Sequence, residues 1–213
     1  MTEIPALSLR PATPADADEA AVLLADTMGG YGVMTMGLGS QLRETNILQD
    51  WFVRPGHRFS YEFCWLAELE KEVVGLLLTL PGDRLDELER SLSKGILKVY
   101  NPFELVQMVW RLMVIGRSDE ADKNEYVLAH LAVKEGFRRK GIAALLIKKA
   151  EELAAENGFT RLVLEVELDN QPARQLYGKQ GFEVQTTTKF GRHARTLSCP
   201  GFDKMVKIIP TRG

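Results

Sequence analysis

Residues 131–143, LAVKEGFRRKGIA, carry the chain from an apolar strand through a short basic loop into an amphipathic helix. Arg138 and Arg139 supply positive charge, and Gly141 allows the backbone to approach a ligand closely. The first turn of a helix also exposes N–H groups that lack intrahelical partners and bind anions. One face of the helix is apolar at helical spacing, through Ile142, Leu145, Leu146, Ala150 and Leu153. The stretch therefore predicts a cradle for a phosphate or pyrophosphate group.

A solvated basic turn ahead of an ordinary helix would also explain these residues. The chain contains no Gly-x-x-x-x-Gly-Lys-Ser/Thr sequence, which argues against a P-loop nucleotidase. It also contains no Gly-x-Gly-x-x-Gly sequence after a strand, which argues against a dinucleotide-binding fold. The order Arg-x-x-Gly-x-Ala at Arg138, Gly141 and Ala143 resembles the acyl-CoA-binding loop of the GNAT superfamily of N-acetyltransferases.

In that superfamily the loop surrounds the pyrophosphate of CoA, and the strand before it offers backbone groups to the pantetheine arm. The resemblance therefore implies that acetyl-CoA is the acyl-donor cosubstrate. The residues that it places around acetyl-CoA are Leu131, Ala132, Val133, Arg138, Arg139, Lys140, Gly141, Ile142 and Ala143.

A second segment, residues 161–182 (RLVLEVELDNQPARQLYGKQGF), has the pattern of a strand, a loop and a short helix. Every second residue from 162 to 168 is apolar, as in a strand with one buried face. The other face carries Glu165 and Glu167, so two carboxylates stand among strand-forming neighbours. Asn170 then has the side chain of a helix N-cap and opens the predicted helix.

This second segment also resembles GNAT sequences. It ends in Leu-Tyr-x-x-x-Gly-Phe at residues 176–182. The Leu-Glu-Val run, with Asn five residues and Tyr twelve residues after the glutamate, is similar to the ribosomal-protein N-terminal alanine acetyltransferases. Carried over residue by residue, the resemblance implies Glu165 as general base and Asn170 as a CoA contact. It implies Tyr177 as the acid that protonates the leaving thiolate.

The general base has more than one candidate. A glutamate with an ordinary pKa of about 4.3 is a weak base, so either burial raises that pKa or a water relay carries the proton. His130, in the apolar strand predicted over residues 126–133, titrates near neutrality and competes for the role. Structural roles are the alternative: Glu165 paired with a lysine across the sheet, and Tyr177 packed in the core. For the oxyanion, the resemblance implies a backbone N–H around residues 131–133, where the family's strand bulges.

Composition favours one soluble enzyme. A chain of 213 residues with 45% hydrophobic residues can bury one sizeable core, and a net charge of -2 gives no general attraction to nucleic acid or anionic membrane. The two cysteines, Cys64 and Cys199, have no metal-site spacing with the histidines. Residues 1–20 lack the charged head and continuous apolar core of a signal peptide, so we expect a cytoplasmic protein without a metal site.

The remaining elements complete a predicted fold. We expect a single α/β domain over residues 1–213, with a GNAT-like mixed, mostly antiparallel twisted sheet flanked by helices. Residues 28–40, rich in glycine and methionine, are predicted to form an irregular loop after a first helix that ends at Thr27. Residues 82–124 are predicted to form a helical insertion between the third and fourth strands. Within it, residues 105–115 are too short to span a bilayer.

Several residues are candidates for the acceptor side. Phe103, Met108, Trp110 and Met113 of the insertion would cap an acceptor pocket, bury against the second subunit of a homodimer, or pack as an extra core helix. Glu125 and Tyr126 would line an acceptor channel, although a strand-edge salt bridge explains Glu125 equally well. In the loop of residues 191–201, Arg192, His193 and Arg195 would recognise an acidic acceptor or remain solvated.

The sequence predicts an N-acetyltransferase that moves an acetyl group from acetyl-CoA to a primary amine by direct attack. A protein N-terminus is the first candidate acceptor. Small amines such as a polyamine, an amino acid or an aminoglycoside are the alternative. A non-catalytic acyl-CoA-binding sensor or scaffold is a hypothesis of a different class.

Overall fold

Within residues 7–115 and 121–210 of the computed structural model, seven strands form one sheet in the order β1-β2-β3-β4-β5-β7-β6. All neighbouring strands are antiparallel except β4 and β5, which are parallel. This architecture confirms the predicted fold class. The strands are β1 Ser8–Pro11, β2 Cys64–Leu69, β3 Glu72–Pro81, β4 Tyr126–Val133, β5 Arg161–Glu167, β6 Glu183–Lys189 and β7 Gly201–Ile208.

Helices cover both faces of the sheet. On one face, alternate strand residues such as Leu76, Val127 and Val163 share a core with the first two helices. On the other, residues such as Leu128 and Leu164 pack with the fifth and sixth helices. This alternation follows from the period of two in a strand, which sends successive side chains to opposite faces. The helices are α1 Ala17–Thr35, α2 Gln41–Phe52, α3 Leu85–Val99, α4 Pro102–Ile115, α5 Ile142–Glu156, α6 Gln171–Lys179 and α7 Ala194–Leu197.

Helix α1 is longer than the sequence predicted. It continues to Thr35, so the prediction of an irregular loop was wrong for residues 28–35. One residue, Gly29 (φ 51°, ψ -145°), leaves the helical conformation and kinks the helix there. Gly32 lies against α2, where any side chain would collide with that of Glu44. Packing against α2 therefore holds a glycine-rich segment helical despite its low intrinsic propensity.

The insertion between β3 and β4 contains α3 and α4, as predicted. Met108 of α4 is buried in the core below α1 and α2, whereas Phe103 is exposed. The side chains of Trp110 and Met113, predicted to cap an acceptor pocket, bury against a second subunit or pack as an extra core helix, lie outside the described part, as do residues 116–120. None of the helices in the described ranges has the length and apolar content that crossing a bilayer requires.

Strands β4 and β5 pair only at their beginnings. The register joins Tyr126 to Leu162 and Val127 to Val163, and it records no further pair. Beyond this point the two strands separate, and the gap between them opens toward the loop that precedes α5. The sequence did not reveal this gap, because it depends on pairing between strands that are far apart in the chain.

Strand β4 also carries a bulge at Ala129. On β3, Leu78 pairs with His130 but Thr79 pairs with Leu128, so Ala129 is the extra residue. The predicted bulge at residues 131–133 was wrong, because those residues keep a regular register with Leu77, Leu76 and Gly75. The bulge turns His130 to the α1 face, where its ring meets Thr27.

A buried ion cluster lies at the closed end of the gap. The side chain of Glu125, which is fully buried, accepts hydrogen bonds from Arg161 at 2.9 and 3.0 Å and from Lys204 at 3.0 Å. Burial raises the pKa of Glu125, but the Asp122 N–H, Lys204 and Arg161 outweigh burial and hold that pKa below its usual range. The predicted salt bridge is therefore present, and it joins the starts of β4 and β5 to β7.

We expect Glu125→Gln to lower the free energy of unfolding by on the order of 3 kcal/mol, because it leaves two cations without their shared buried partner. Urea unfolding at neutral pH measures this loss. The pKa of Glu125 in the folded state is depressed, so this carboxylate contributes to stability at pH values above its ordinary pKa of 4.5. The difference in unfolding free energy between the two proteins should therefore narrow as the pH falls below 4.5.

Glu72→Gln is the matched control for this prediction. It breaks the exposed pair between Glu72 and Lys134 at 3.1 Å, which contributes less than about 1 kcal/mol. Equal losses of unfolding free energy in the two variants would contradict the proposal that Glu125 stabilises the fold through a buried ion cluster.

Candidate active site

The loop before α5 forms an open cradle. Gly141 has a left-handed conformation (φ 84°), and Leu145 N–H donates the first intrahelical bond to its carbonyl at 3.1 Å. The N–H groups of Ile142, Ala143 and Ala144 precede that bond and point out of the helix start. A side-chain carbon added at Gly141 would meet no atom within 4 Å. The predicted anion site is therefore an exposed helix N-terminus with free space in front of it.

The three basic residues of this loop have different surroundings. Arg138 donates to the Val133 carbonyl at 3.0 Å and forms an exposed ion pair with Asp26 of α1 at 2.9 Å. Arg138 thus fixes the loop to β4 and α1. Arg139 is exposed, and the Lys140 ammonium lies 4.9 Å from the centre of the Phe137 ring. The charge available to an anion comes mainly from Arg139, Lys140 and the helix start.

The histidine predicted as an alternative base is held in one tautomer. Thr27 Oγ1 donates to the Leu24 carbonyl at 2.6 Å, and it lies 2.8 Å from His130 Nδ1. A hydroxyl has one proton to donate, so His130 Nδ1–H must be the donor in the second bond. His130 Nε2 is then the nitrogen that can accept a proton. The ring also stacks on Phe59, with centroids 5.7 Å apart.

Glu165 lies on the same face of the sheet as His130. Its neighbours Leu164 and Val166 face the α5 side, so the alternation of β5 directs Glu165 toward α1. Across the sheet, Glu165 is in register with Lys204 of β7. Continuing the parallel register beyond Val163 would bring Glu165 opposite Ala129, at the point where the gap widens. Glu165 and His130 therefore stand on the two sides of the gap.

Tyr177 belongs to the opposite face. It is 8% exposed in the core between the sheet and α6, and its ring centroid is 5.7 Å from that of Phe182. Burial raises the pKa of Tyr177 to about 12, so the phenol is protonated at neutral pH. Tyr177 and Glu165 therefore lie on opposite faces of the sheet.

Asn170 caps the helix that carries Tyr177. Its Oδ1 accepts a hydrogen bond from Ala173 N–H at 3.1 Å, so the predicted N-cap is present. The structure does not test the predicted contact of Asn170 with CoA. Arg174 of the same helix binds the buried carboxylate of Asp203 on β7 at 2.5 and 2.9 Å, which fixes α6 against the sheet.

The connection between β6 and β7 packs on the kinked end of α1. Leu197 and Cys199 are buried there, and the ring of Tyr31 meets that of Phe202 edge-on at 5.6 Å. Of the residues predicted to recognise an acidic acceptor, Arg192 donates to His193 Nε2 at 3.1 Å. This connection and α1 form the wall of the face on which Glu165 lies.

The match of residues 38–182 to the model of the Acetyltransferase (GNAT) family decides the classification. The chain belongs to the GNAT family. The family predicted from the cradle and from the Leu-Tyr-x-x-x-Gly-Phe sequence is thereby confirmed. Within residues 7–115 and 121–210 there is no group of three or more metal-binding side chains.

Individual GNAT relatives match shorter stretches. The chain is 49% identical over 55 residues, 26% of its length, to GCN5-related N-acetyltransferase 4, chloroplastic, of Arabidopsis thaliana. It is 44% identical over 55 residues, also 26% of its length, to N-alpha-acetyltransferase 30 of Xenopus laevis. These matches span 19% and 20% of the two relatives. An N-acetyltransferase structure from Staphylococcus aureus Mu50 shares the fold, with a TM-score of 0.70 and 20% identity over 94% of this chain and 100% of that one.

Two residues of this GNAT site were not predicted from the sequence. Asp26 anchors the cradle through Arg138, and Thr27 sets the tautomer of His130. Both lie on α1, more than a hundred positions before their partners. No local pattern marks them, because a single aspartate or threonine on a helix is common in any protein.

Proposed function

We propose that this GNAT chain transfers an acetyl group from acetyl-CoA to an amine that enters the gap between β4 and β5. The observation that carries the proposal is the separation of these strands after Val127 and Val163. The open cradle at Gly141 lies beyond the end of β4, where it would hold the pyrophosphate. The thioester would then reach along the unpaired edge of β4, between the face of Tyr177 and the face of Glu165.

The residues around the gap account for each proton in the transfer. The acceptor ammonium must lose a proton before its nitrogen can attack the thioester carbonyl, and Glu165 and His130 Nε2 are the two candidate bases on that face. A backbone N–H of the β4 edge would bind the oxyanion, a contribution on the order of 3 kcal/mol in characterised acyl transfer. As the carbon–sulfur bond breaks, Tyr177 gives its proton to the CoA thiolate.

The proposed acceptor is the α-amino group of a protein or peptide N-terminus. Two observations support it: the spacing of Glu165, Asn170 and Tyr177, and the match to N-alpha-acetyltransferase 30. The acceptor would approach over α1 and the β6–β7 connection, since α5 and α6 cover the other face. The insertion of α3 and α4 beside α1 is the feature that favours the second candidate, a small amine in a closed pocket.

Acceptor pools test this choice. We expect acetyl-CoA-dependent thiol release with peptides of varied free N-termini, and none with small amines at the same total amine concentration. Peptides with acetylated N-termini are the control for transfer to lysine. Thiol release with the small amines alone would contradict the proposal of an N-terminal acceptor. No thiol release with either pool would contradict the proposed transfer to an amine.

A substitution at the cradle tests where acetyl-CoA binds. Gly141→Glu places a carboxylate at the predicted pyrophosphate, so we expect acetyl-CoA affinity to fall at least ~10-fold, about 1.4 kcal/mol. Calorimetry measures the dissociation constant. Gly158→Glu is the control, because Gly158 (φ 79°) is also left-handed and also has no atom within 4 Å of an added carbon. If both variants kept the affinity of the unsubstituted protein, the cofactor placement would be wrong.

Removal of one hydroxyl tests the proposed acid. We expect Tyr177→Phe to slow transfer by roughly 10²- to 10⁴-fold, the range for losing a general acid, while acetyl-CoA affinity stays nearly unchanged. Tyr126→Phe is the control, since the buried Tyr126 hydroxyl meets Thr79 Oγ1 at 3.2 Å on the same face as Tyr177. A Tyr177→Phe protein as fast as the control would rule out the acid role.

A further inference from the structure

A cleft of about 210 Å³ lies between α2 and α3, apart from the cradle and the gap. Its wall includes Trp51 from the end of α2, Arg54 and His57 from the following loop, and Lys94, Gly95 and Lys98 from α3. No residue of the GNAT site described above lines it. Two features of this wall indicate a ligand: buried donors without acceptors, and a set of cations.

The buried donors are the indole of Trp51 and the imidazole of His57. Their residues are 3% and 6% exposed, and neither Trp51 Nε1 nor His57 Nε2 has a hydrogen-bond partner in the described part of the chain. An added carbon at Gly95 would lie 3.7 Å from Trp51 Nε1, which places the indole nitrogen at the α3 wall of the cleft. A buried donor without an acceptor lowers the stability of the fold.

The tautomer of His57 follows from its other nitrogen. Phe59 N–H donates to His57 Nδ1 at 3.2 Å, so Nδ1 carries no proton and Nε2 carries the only one. Burial lowers the pKa of His57, more strongly than the nearby Trp51 carbonyl raises it, which agrees with a neutral ring. The cleft wall thus holds two N–H donors, and neither has an acceptor at hydrogen-bond geometry among the described residues.

The charged side chains of the cleft wall are positive. Among the described residues, Arg54, Lys94 and Lys98 line the cleft and no carboxylate does, while Asp50 and Glu62 lie near enough to His57 to raise its pKa. Lys94 and Lys98 are exposed and stand one turn apart on α3. Arg54 is partly neutralised by an exposed ion pair with Asp50 at 2.6 Å, which lies outside the cleft wall. The wall therefore combines a positive potential with N–H donors, the chemistry that binds an oxoanion.

We propose that this cleft is a second ligand site, which binds a small oxoanion such as a phosphate or carboxylate group. The oxygens accept from Trp51 Nε1 and His57 Nε2, and the lysines of α3 balance the charge. The Trp51 ring stacks on Phe59 at 5.8 Å, and Phe59 stacks on His130 at 5.7 Å. The rings of Trp51 and Phe59 would therefore connect a ligand in the cleft to His130 of the proposed active site.

The indole N–H of Trp51 gives a direct test of binding that does not depend on acetyl transfer. The chain has three tryptophans, so ¹⁵N-tryptophan labelling gives three indole signals, and Trp51→Phe identifies the one that belongs to Trp51. The labelled protein is titrated with inorganic phosphate and separately with acetate, with chloride holding the ionic strength constant. We expect a saturable shift of the Trp51 signal. Saturation with only one of the two anions would assign the site to that group.

Charge reversal on α3 supplies the second arm. Lys94→Glu with Lys98→Glu should weaken binding at least ~10-fold, because both reversed charges repel the anion. Lys179→Glu with Lys189→Glu makes the same charge change at exposed positions of α6 and β6 and should leave the dissociation constant unchanged.

Gly95→Ala covers the case in which charge reversal disturbs folding. The new methyl group faces the indole nitrogen at ordinary contact distance and improves helix propensity, so the fold is kept while the anion loses room. We expect weaker binding in this variant as well. A Trp51 signal that does not shift, or that shifts without saturation or equally in the α3 and control variants, would overturn the proposal.

Discussion

The buried carboxylate of Glu125 is the interaction on which the shape of the site depends. It joins the start of β4 to Arg161 at the start of β5 and to Lys204 on β7, directly before the two residue pairs that connect the parallel strands. This end of the β4–β5 contact is clamped by charge and by backbone pairing. The strands are therefore held together at one end and separate at the other, and the bulge at Ala129 increases the local twist where they part.

The two faces of the sheet on either side of the gap carry different groups. Helices α5 and α6 cover one face and bring an open helix N-terminus and a buried, protonated tyrosine. Helix α1 covers the other and orients His130 through Thr27, while Asp26 of the same helix fixes the cradle through Arg138. A sheet without a gap would keep Tyr177 and Glu165 on separate sides. In the proposed mechanism, the opening between β4 and β5 lets both act on one thioester.

The buried side-chain atoms that lack a hydrogen-bond partner in the described chain lie in the region around α1, α2 and α3. Glu44 is fully buried without a hydrogen-bond partner there, and burial raises the pKa of this carboxyl to about 7. Trp51 and His57 lack acceptors in the same region. Groups of this kind cost stability, and they lie beside the face proposed to receive the acceptor.

The sequence by itself determined the family, the fold class and the glycine turn that opens α5. These rest on local patterns: the glycine at the start of α5, the alternation of β5 and the cap at Asn170 each depend on neighbours within a few positions. Tertiary structure alone decided the gap, the bulge at Ala129 and the extension of α1 to Thr35. It also decided the partners of Arg138 and His130. Each of these depends on residues far apart in the chain, such as Asp26 with Arg138 or Glu125 with Lys204. Contacts of this kind form through packing and strand register, which leave no periodic or local signal in one sequence.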